Sequence, residues 1–382
     1  MIQTSFLIVG AGPFGLSMAT EAQRLGIDYR IVGQPMELWR KYMPNGMCLR
    51  GVYDLDPTNA HTIEGYLEHR GLKPGDVDSF PLSLYLDYVE WFQRQKRIEP
   101  IPAYVQELNI DADGQNHFIA ELHNGETILA DTVLLALGFQ YFSHVPDELA
   151  DILPPGRYGH TRGIVDFSGL AGLRCLIVGG RQSAFEWAAL LREAGAAKVH
   201  VVYRHATPTF AKADMSWVDP LLERMVDDPG WFRRLSKTEK DEINHRWRLE
   251  GDMKIEPWLA DRVLQSNVIL CPDTEIDACT EQSDGALTMD LSNGDTVTVD
   301  RVILATGYKV EMDRISFLHT SSLGERIATR NGFPVLDEYF QSSVPGLFIT
   351  GMPATRDFGP FFSVTAPTRA SARIIGKVLC AR

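Results

Sequence analysis

Two glycine-rich turns are the first places where residue type and spacing could do chemistry. Gly10-Ala11-Gly12-Pro13-Phe14-Gly15 fits G-x-G-x-x-G and follows the apolar run Phe6-Leu7-Ile8-Val9. In that pattern the first glycine permits a tight turn. The second lets the backbone approach a pyrophosphate, and the third lets helix and strand pack closely. The helix expected next, Leu16 to Leu25, would aim unpaired N–H groups at the phosphates. Gly10, Gly12, Pro13, Phe14 and Gly15 are therefore candidate dinucleotide-binding residues. An acid ordinarily ends the second strand and holds ribose hydroxyls. Here the strand Tyr29 to Val32 ends in Gly33-Gln34, so Gln34 is the candidate, with Glu37 close by.

The second turn, Gly179-Gly180-Arg181-Gln182-Ser183-Ala184, keeps the first glycine and a small last residue. Arg181 stands where the middle glycine belongs, and its guanidinium could pair with a phosphate. Gly179, Arg181, Gln182 and Ser183 are the candidates there. The following strand, Val199 to Tyr203, ends in Arg204-His205 without an acid. An arginine at that position suits a 2′-phosphate, so this turn reads as a site for NADPH, with NADH as the alternative.

The elements that must position these turns form a repeat. Gly10 and Gly179 are 169 positions apart, as are Gly26 and Gly195. HNGETILADTVLLALG, ending at Gly138, returns at the same offset as SNGDTVTVDRVILATG, ending at Gly307, with eight of sixteen positions identical. Each copy reads as strand, glycine turn and helix, then an Asn-Gly hairpin, then a buried apolar strand stopped by glycine. The expected fold is α/β, with two Rossmann-like, three-layer dinucleotide-binding domains. One takes residues 1–150 plus 308–382. The other takes 151–307 and carries a helical insertion at about 207–264. Two stretches stand outside the repeat, Pro44 to Pro81 and that insertion, and they should decide the substrate.

Bulk composition bounds the rest. The 382 residues carry 37 basic and 50 acidic side chains, a net charge of −13, which opposes binding to nucleic acid or an anionic membrane. Five cysteines form no C-x-x-C pair, so neither a zinc ribbon nor a local redox disulfide is expected. The histidines show no metal-ligand spacing. No apolar run approaches the ~20 residues of a membrane span. A cytoplasmic enzyme is expected.

With Gly10 to Gly15, the turn at Gly179, Leu304-Ala305-Thr306-Gly307-Tyr308, and Gly156-Arg157-Tyr158-Gly159-His160 between the domains, the sequence resembles the class B flavoprotein monooxygenases. Asn45 to Arg50 and Asp54 to Pro57 are similar to the flavin-facing stretch of the N-hydroxylases in that group. The resemblance implies FAD at the first turn and NADPH at the second. It implies transfer of one oxygen atom from O₂, through a flavin C4a-(hydro)peroxide, to a small organic substrate by N-, S- or Baeyer–Villiger oxygenation. Further cofactor contacts are implied at Trp39, Met47, Leu49, Val105, Gly138, Gly307, Gly351, Phe358 and Phe361. Asp56 and Asn59 are the catalytic candidates, and Trp217 and Trp258 the substrate candidates. A C-terminal helix from about Val364 to Leu379 is expected to point its N-terminus at the flavin. An NAD(P)H oxidase or flavin reductase without oxygen transfer, and a nonenzymatic FAD-binding regulator, remain as alternatives.

Overall fold

A mixed sheet and a parallel sheet carry the repeat. The computed structural model describes residues 1–77, 79–111, 117–319 and 322–380. In the first sheet, Ile2–Val9 runs parallel to Tyr29–Val32 on one side and to Thr127–Leu135 on the other. The far edge of Thr127–Leu135 is divided. Its first half pairs antiparallel with Phe118–Leu122, and its second half pairs parallel with Leu347–Ile349. Val105–Ile110 completes that meander. The second sheet is parallel throughout, in the order Val268–Cys271, Lys198–Val202, Arg174–Val178, Arg301–Leu304, Tyr158–His160. The central strands are apolar because helices or loops cover both their faces. Phe6, Leu7 and Ile8 are fully buried, as are Leu176 and Ile177.

The repeat extends to register. Phe6 faces Thr132 and Val9 faces Leu135 in one sheet. Cys175 faces Arg301 and Val178 faces Leu304 in the other, each position again shifted by the offset found in the sequence. The copies differ after the hairpin. Thr127–Leu135 runs unbroken, whereas its counterpart splits into Thr296–Val299 and Arg301–Leu304. At the break, the Asp300 carboxylate accepts from the Arg174 backbone N–H at 2.8 Å and from its guanidinium at 2.6 Å. The equivalent Asp131 pairs with His117 instead, so nothing interrupts the first copy there.

The insertion forms helices Val218–Asp227, Trp231–Arg234 and Lys237–Trp247, the last begun by a capping box between Ser236 and Glu239. Its ends are tied by a short parallel pair, Thr209–Phe210 with Lys254–Ile255. By chain order it lies within the second domain. Its apolar face, however, packs into the core of the first, where Val218, Leu222, Met225, Val226, Trp231 and Phe232 join Phe358, Phe361 and Ile374. Arg373 pairs with Glu223 at 2.9 Å along the same seam.

The expected C-terminal helix is shorter than the sequence suggested. It spans Thr368–Leu379 and is preceded by a 3₁₀ turn, Pro360–Ser363, and an irregular link. The two chain passages between the sheets pair with each other. The His144 N–H donates to the Gly307 carbonyl at 3.0 Å and the Lys309 N–H to the Phe142 carbonyl at 2.8 Å.

Candidate functional site

The first glycine turn opens into a cleft of about 990 Å³, lined by residues 9–14, 32–34, 36–39, 103–105, 136–141, 317, 352 and 362–365. The three glycines of the turn do different work. Gly10 has φ +116°, and a Cβ there would meet the Ala136 carbonyl oxygen at 2.3 Å. A Cβ at Gly15 would meet the Gly10 carbonyl oxygen at 1.8 Å, so helix and turn can approach only through glycine. A Cβ at Gly12 would meet no atom within 4 Å. The protein itself does not require glycine at 12; the residue leaves room above the turn. Helix Pro13–Leu25 starts there, with its first intrahelical bond from Leu16 N–H to the Gly12 carbonyl. The earlier N–H groups of the first turn are thus free for an anion.

Of the cofactor candidates, Gly10, Gly12, Pro13, Phe14, Gln34, Trp39, Val105 and Gly138 line this cleft. Gly15 stands behind the turn, and Gly351 (φ +76°) lies 3.7 Å from the Phe14 ring by its would-be Cβ. Gln34 donates to the Pro102 carbonyl at 2.8 Å. Glu37 is the one acidic side chain in the lining. One of its oxygens accepts from Lys41 at 3.0 Å and from the Tyr104 hydroxyl, leaving the other without a partner among the described residues.

Four candidates fall elsewhere. Phe358 and Phe361 do not reach the cleft. Phe358 stacks on Phe340 at 3.7 Å, and Phe361 is fully buried under Trp217, Phe232 and Trp247. The adjacent Phe362 lines the cleft and stacks on Phe14 at 6.3 Å. Met47 packs against the second core, and Leu49 lines a different cavity. The C-terminal helix contributes no lining residue; Ser363, Val364 and Thr365 before it do. The sequence shows neighbouring phenylalanines but not the phase of the 3₁₀ turn that selects one of them.

The catalytic candidates are also displaced, lying outside the lining of both cavities. Asp56 is fully buried, with Lys96 Nζ at 2.8 Å and bonds from Thr58 and His61. Burial pushes its carboxyl up, yet these donors prevail and hold it at about 2. Asn59 has φ +58° and binds Arg369. Both serve the turn that follows strand Cys48–Leu49.

At the second turn, Gly179 repeats Gly10: its Cβ would meet the Ala305 carbonyl oxygen at 2.5 Å. Gly180 is required by packing, since a Cβ there would lie 2.5 Å from the Tyr203 side chain. The first copy inverts this arrangement, with Ala11 on the turn and Gly33 just past the strand, where a Cβ would lie 3.0 Å from the Ala11 nitrogen. Arg181 takes the extended backbone of Gly12 and pairs with Asp252 at 3.1 Å. Gln182 accepts from the Glu256 N–H, while Ser183 and Arg204 are exposed.

His160 sits where the passages cross. The Arg162 N–H donates to its Nδ1 at 3.1 Å, so Nε2 carries the proton and donates to the Gly307 carbonyl at 2.9 Å. Burial lowers its pKa and so favours the neutral ring. Arg162 continues into the first unit, lying 4.1 Å over the Tyr42 ring and bonding Gln140 in the cleft lining.

A second, open cavity of about 1490 Å³ is lined by residues 49–52, 63, 64, 67, 77, 80, 212 and 256–258. It contains Trp258 but not Trp217, which packs on Phe361. On its wall the buried Glu256 pairs with Arg50 Nε at 3.3 Å.

Comparison with known proteins gives concordant results. The sequence family described as pyridine nucleotide-disulphide oxidoreductase matches residues 7–230, more than half of the chain, and a second profile of the same description matches 232–359. An FAD-dependent urate hydroxylase of Xanthomonas campestris is 31% identical over 215 residues, covering 52% of this chain and 45% of that protein. A ferredoxin–NADP reductase of Burkholderia vietnamiensis is 29% identical over 232 residues, covering 59% and 56%. The chain thus spans about half the length of the curated relatives it matches. Among solved structures, ornithine hydroxylase from Pseudomonas aeruginosa superposes with a TM-score of 0.76 at 14% identity, covering 100% of this chain and 99% of that one. L-lysine 6-monooxygenase from Pseudomonas syringae gives 0.72 at 19%, covering 98% and 99%. At these identities the likeness establishes the shared fold.

Proposed function

Because the chain belongs to the pyridine nucleotide-disulphide oxidoreductase family, we propose that it is an FAD-dependent enzyme that takes electrons from NADPH and transfers one oxygen atom of O₂ to a small organic substrate in the cytoplasm. The balance is one NADPH, one proton and one O₂ consumed for one oxygenated product, NADP⁺ and water. The observation that carries the reading is the cleft over Gly10 to Phe14, where a Cβ at Gly12 would enter open space. That opening fits a pyrophosphate lying on the backbone. When bound, FAD supplies the redox and oxygen chemistry. The chain's part is to hold it with Gly12 and the first-turn N–H groups, and to keep water out with Phe14 and Phe362. Arg181 and Arg204 would serve the phosphates of NADPH. The sequence carries no C-x-x-C pair, so the reading invokes no thiol chemistry. The monooxygenase names of the structural neighbours support the oxygen-transfer step.

The ferredoxin–NADP reductase relatives favour a second reading, electron transfer without oxygenation. One experiment separates the two. Purified protein is mixed anaerobically with NADPH, then with O₂ and candidate substrates, and peroxide is counted against NADPH oxidised. Peroxide falling well below NADPH in the presence of a substrate supports oxygenation. Equal amounts throughout support the oxidase. No bleaching of the flavin by NADPH or NADH removes both. Arg204→Ala should raise the NADPH KM roughly tenfold and leave that for NADH nearly unchanged; an equal rise in both removes the 2′-phosphate role.

A further inference from the structure

The second turn carries Arg181 where the first carries Gly12, and that exchange puts a charge at the place a pyrophosphate approaches. The turn keeps the shape a phosphate needs. The first bond of helix Gln182–Glu193 runs from the Ala184 N–H to the Arg181 carbonyl, so the N–H groups before it stand outside the helix ladder. The buried amide nitrogen of Gln182 makes no hydrogen bond among the described residues, a donor left over beside the turn. The Arg181 guanidinium, however, is engaged by Asp252 at 3.1 Å. We propose that Asp252 is a built-in competitor of the nicotinamide nucleotide, occupying Arg181 until the pyrophosphate of NADPH displaces it. The proposal rests on the reading above that the second turn takes NADPH.

The acid comes from outside the repeat. Asp252 ends the segment Arg248–Asp252 within the insertion, and the backbone around it is clamped from two sides. Arg50 donates to the carbonyls of Gly251 and Glu250, and the Glu256 N–H donates to the Gln182 side chain at 3.2 Å. A carboxylate carried on a fixed backbone competes at a high effective concentration, yet its side chain can swing away without moving the segment. Releasing it costs little. The Arg181 and Asp252 side chains are 59% and 28% exposed, and an ion pair so open to water contributes little. Once released, Asp252 is not left without a cation, because its charge also acts on Arg50. A pyrophosphate offers Arg181 more than Asp252 does. The guanidinium can grip two of its oxygens, and the helix N–H groups add their own bonds. A competitor differs from a brace in sign: loss of a brace weakens nucleotide binding, and loss of a competitor strengthens it.

The test uses the FAD-loaded full chain in its oxidised form and two probes, NADP⁺ and adenosine 2′-monophosphate, which lacks the pyrophosphate. Binding is measured by calorimetry, without turnover. Asp252→Asn keeps the shape of the side chain and removes its charge. It should tighten NADP⁺ roughly two- to fivefold and leave adenosine 2′-monophosphate unchanged. Arg181→Ala should weaken NADP⁺ less in the wild type than in Asp252→Asn, where no competitor offsets the arginine. NADP⁺ binding that is unchanged or weaker in Asp252→Asn overturns the proposal. So does a gain shared equally by both probes, a gain that survives Arg181→Ala, or failure of NADP⁺ to bind either protein. Anaerobic bleaching of the wild-type flavin by NADPH is recorded separately. Its failure removes the oxidoreductase reading, while the NADP⁺ series still judges Asp252.

Discussion

At the scale of single residues, the glycines of the first turn make the most discriminating pair. Gly12→Ala places a methyl group in open space, so the fold should be unaffected. The same methyl group occupies the room proposed for a pyrophosphate. We expect Gly12→Ala to unfold within a degree or two of the wild type and to purify with far less flavin. Gly10→Ala combines a positive φ with a contact against the Ala136 carbonyl, and should lose about 1–3 kcal/mol or more regardless of flavin. Thermal unfolding and the ratio of flavin to protein absorbance check both; full flavin occupancy in Gly12→Ala contradicts the assignment. Asp56 calls for the opposite pattern. Its carboxyl, held at about 2, is depressed below the ordinary value of ~3.9, so it adds stability above that value and loses it as the pH falls toward 2. Asp56→Asn leaves Lys96 without its partner and should cost roughly 3 kcal/mol. Turnover per folded molecule should hold. A collapse of turnover with stability intact would restore the catalytic role that its neighbourhood in the sequence suggested.

At the scale of elements, the repeat was legible because strand, turn and helix each left a mark at one offset, and the register between the first and late strands of each copy kept that offset. The docking of the insertion was not legible. An amphipathic helix such as Val218–Asp227 displays its apolar face in sequence, but the pattern names no partner. Nothing in residues 207–264 says that the face is taken by the first domain rather than by the second, within which it lies in the chain. The phase of the Pro360–Ser363 turn was hidden for a similar reason: it is set by Gly359, at φ +101°, whose would-be Cβ lies within 3.0 Å of both Phe361 and Phe232. Phe361 is therefore the pin between insertion and first domain. Phe361→Ala should lower stability by roughly 3–5 kcal/mol, read in denaturant unfolding. Proteolysis should then nick the 207–264 stretch first. Unfolding that leaves the insertion as protected as in the wild type would show that the pin lies elsewhere.

At the scale of the whole molecule, the two nucleotide units are joined by chain passages that bind each other, and His160 is placed where they meet. Its tautomer is fixed by two backbone groups, one accepting from Nε2 and one donating to Nδ1. A proton added at Nδ1 would face the Arg162 N–H, which must then give up its bond, and burial already disfavours the charge. The folded ring therefore titrates below the ~6.5 of the unfolded chain. Between those values the unfolded state binds more protons, so stability rises with pH across that window and is lost as pH falls below about 6.5. His200, also lowered by burial, acts in the same direction from the second core. Replacing His160 by glutamine, which carries an amide N–H and a carbonyl but no titration, should remove part of the slope and leave the share of His200. Denaturant unfolding between pH 5 and 7.5 reads the slope directly. An unchanged slope in His160→Gln would mean that the crossing of the passages does not sense protons.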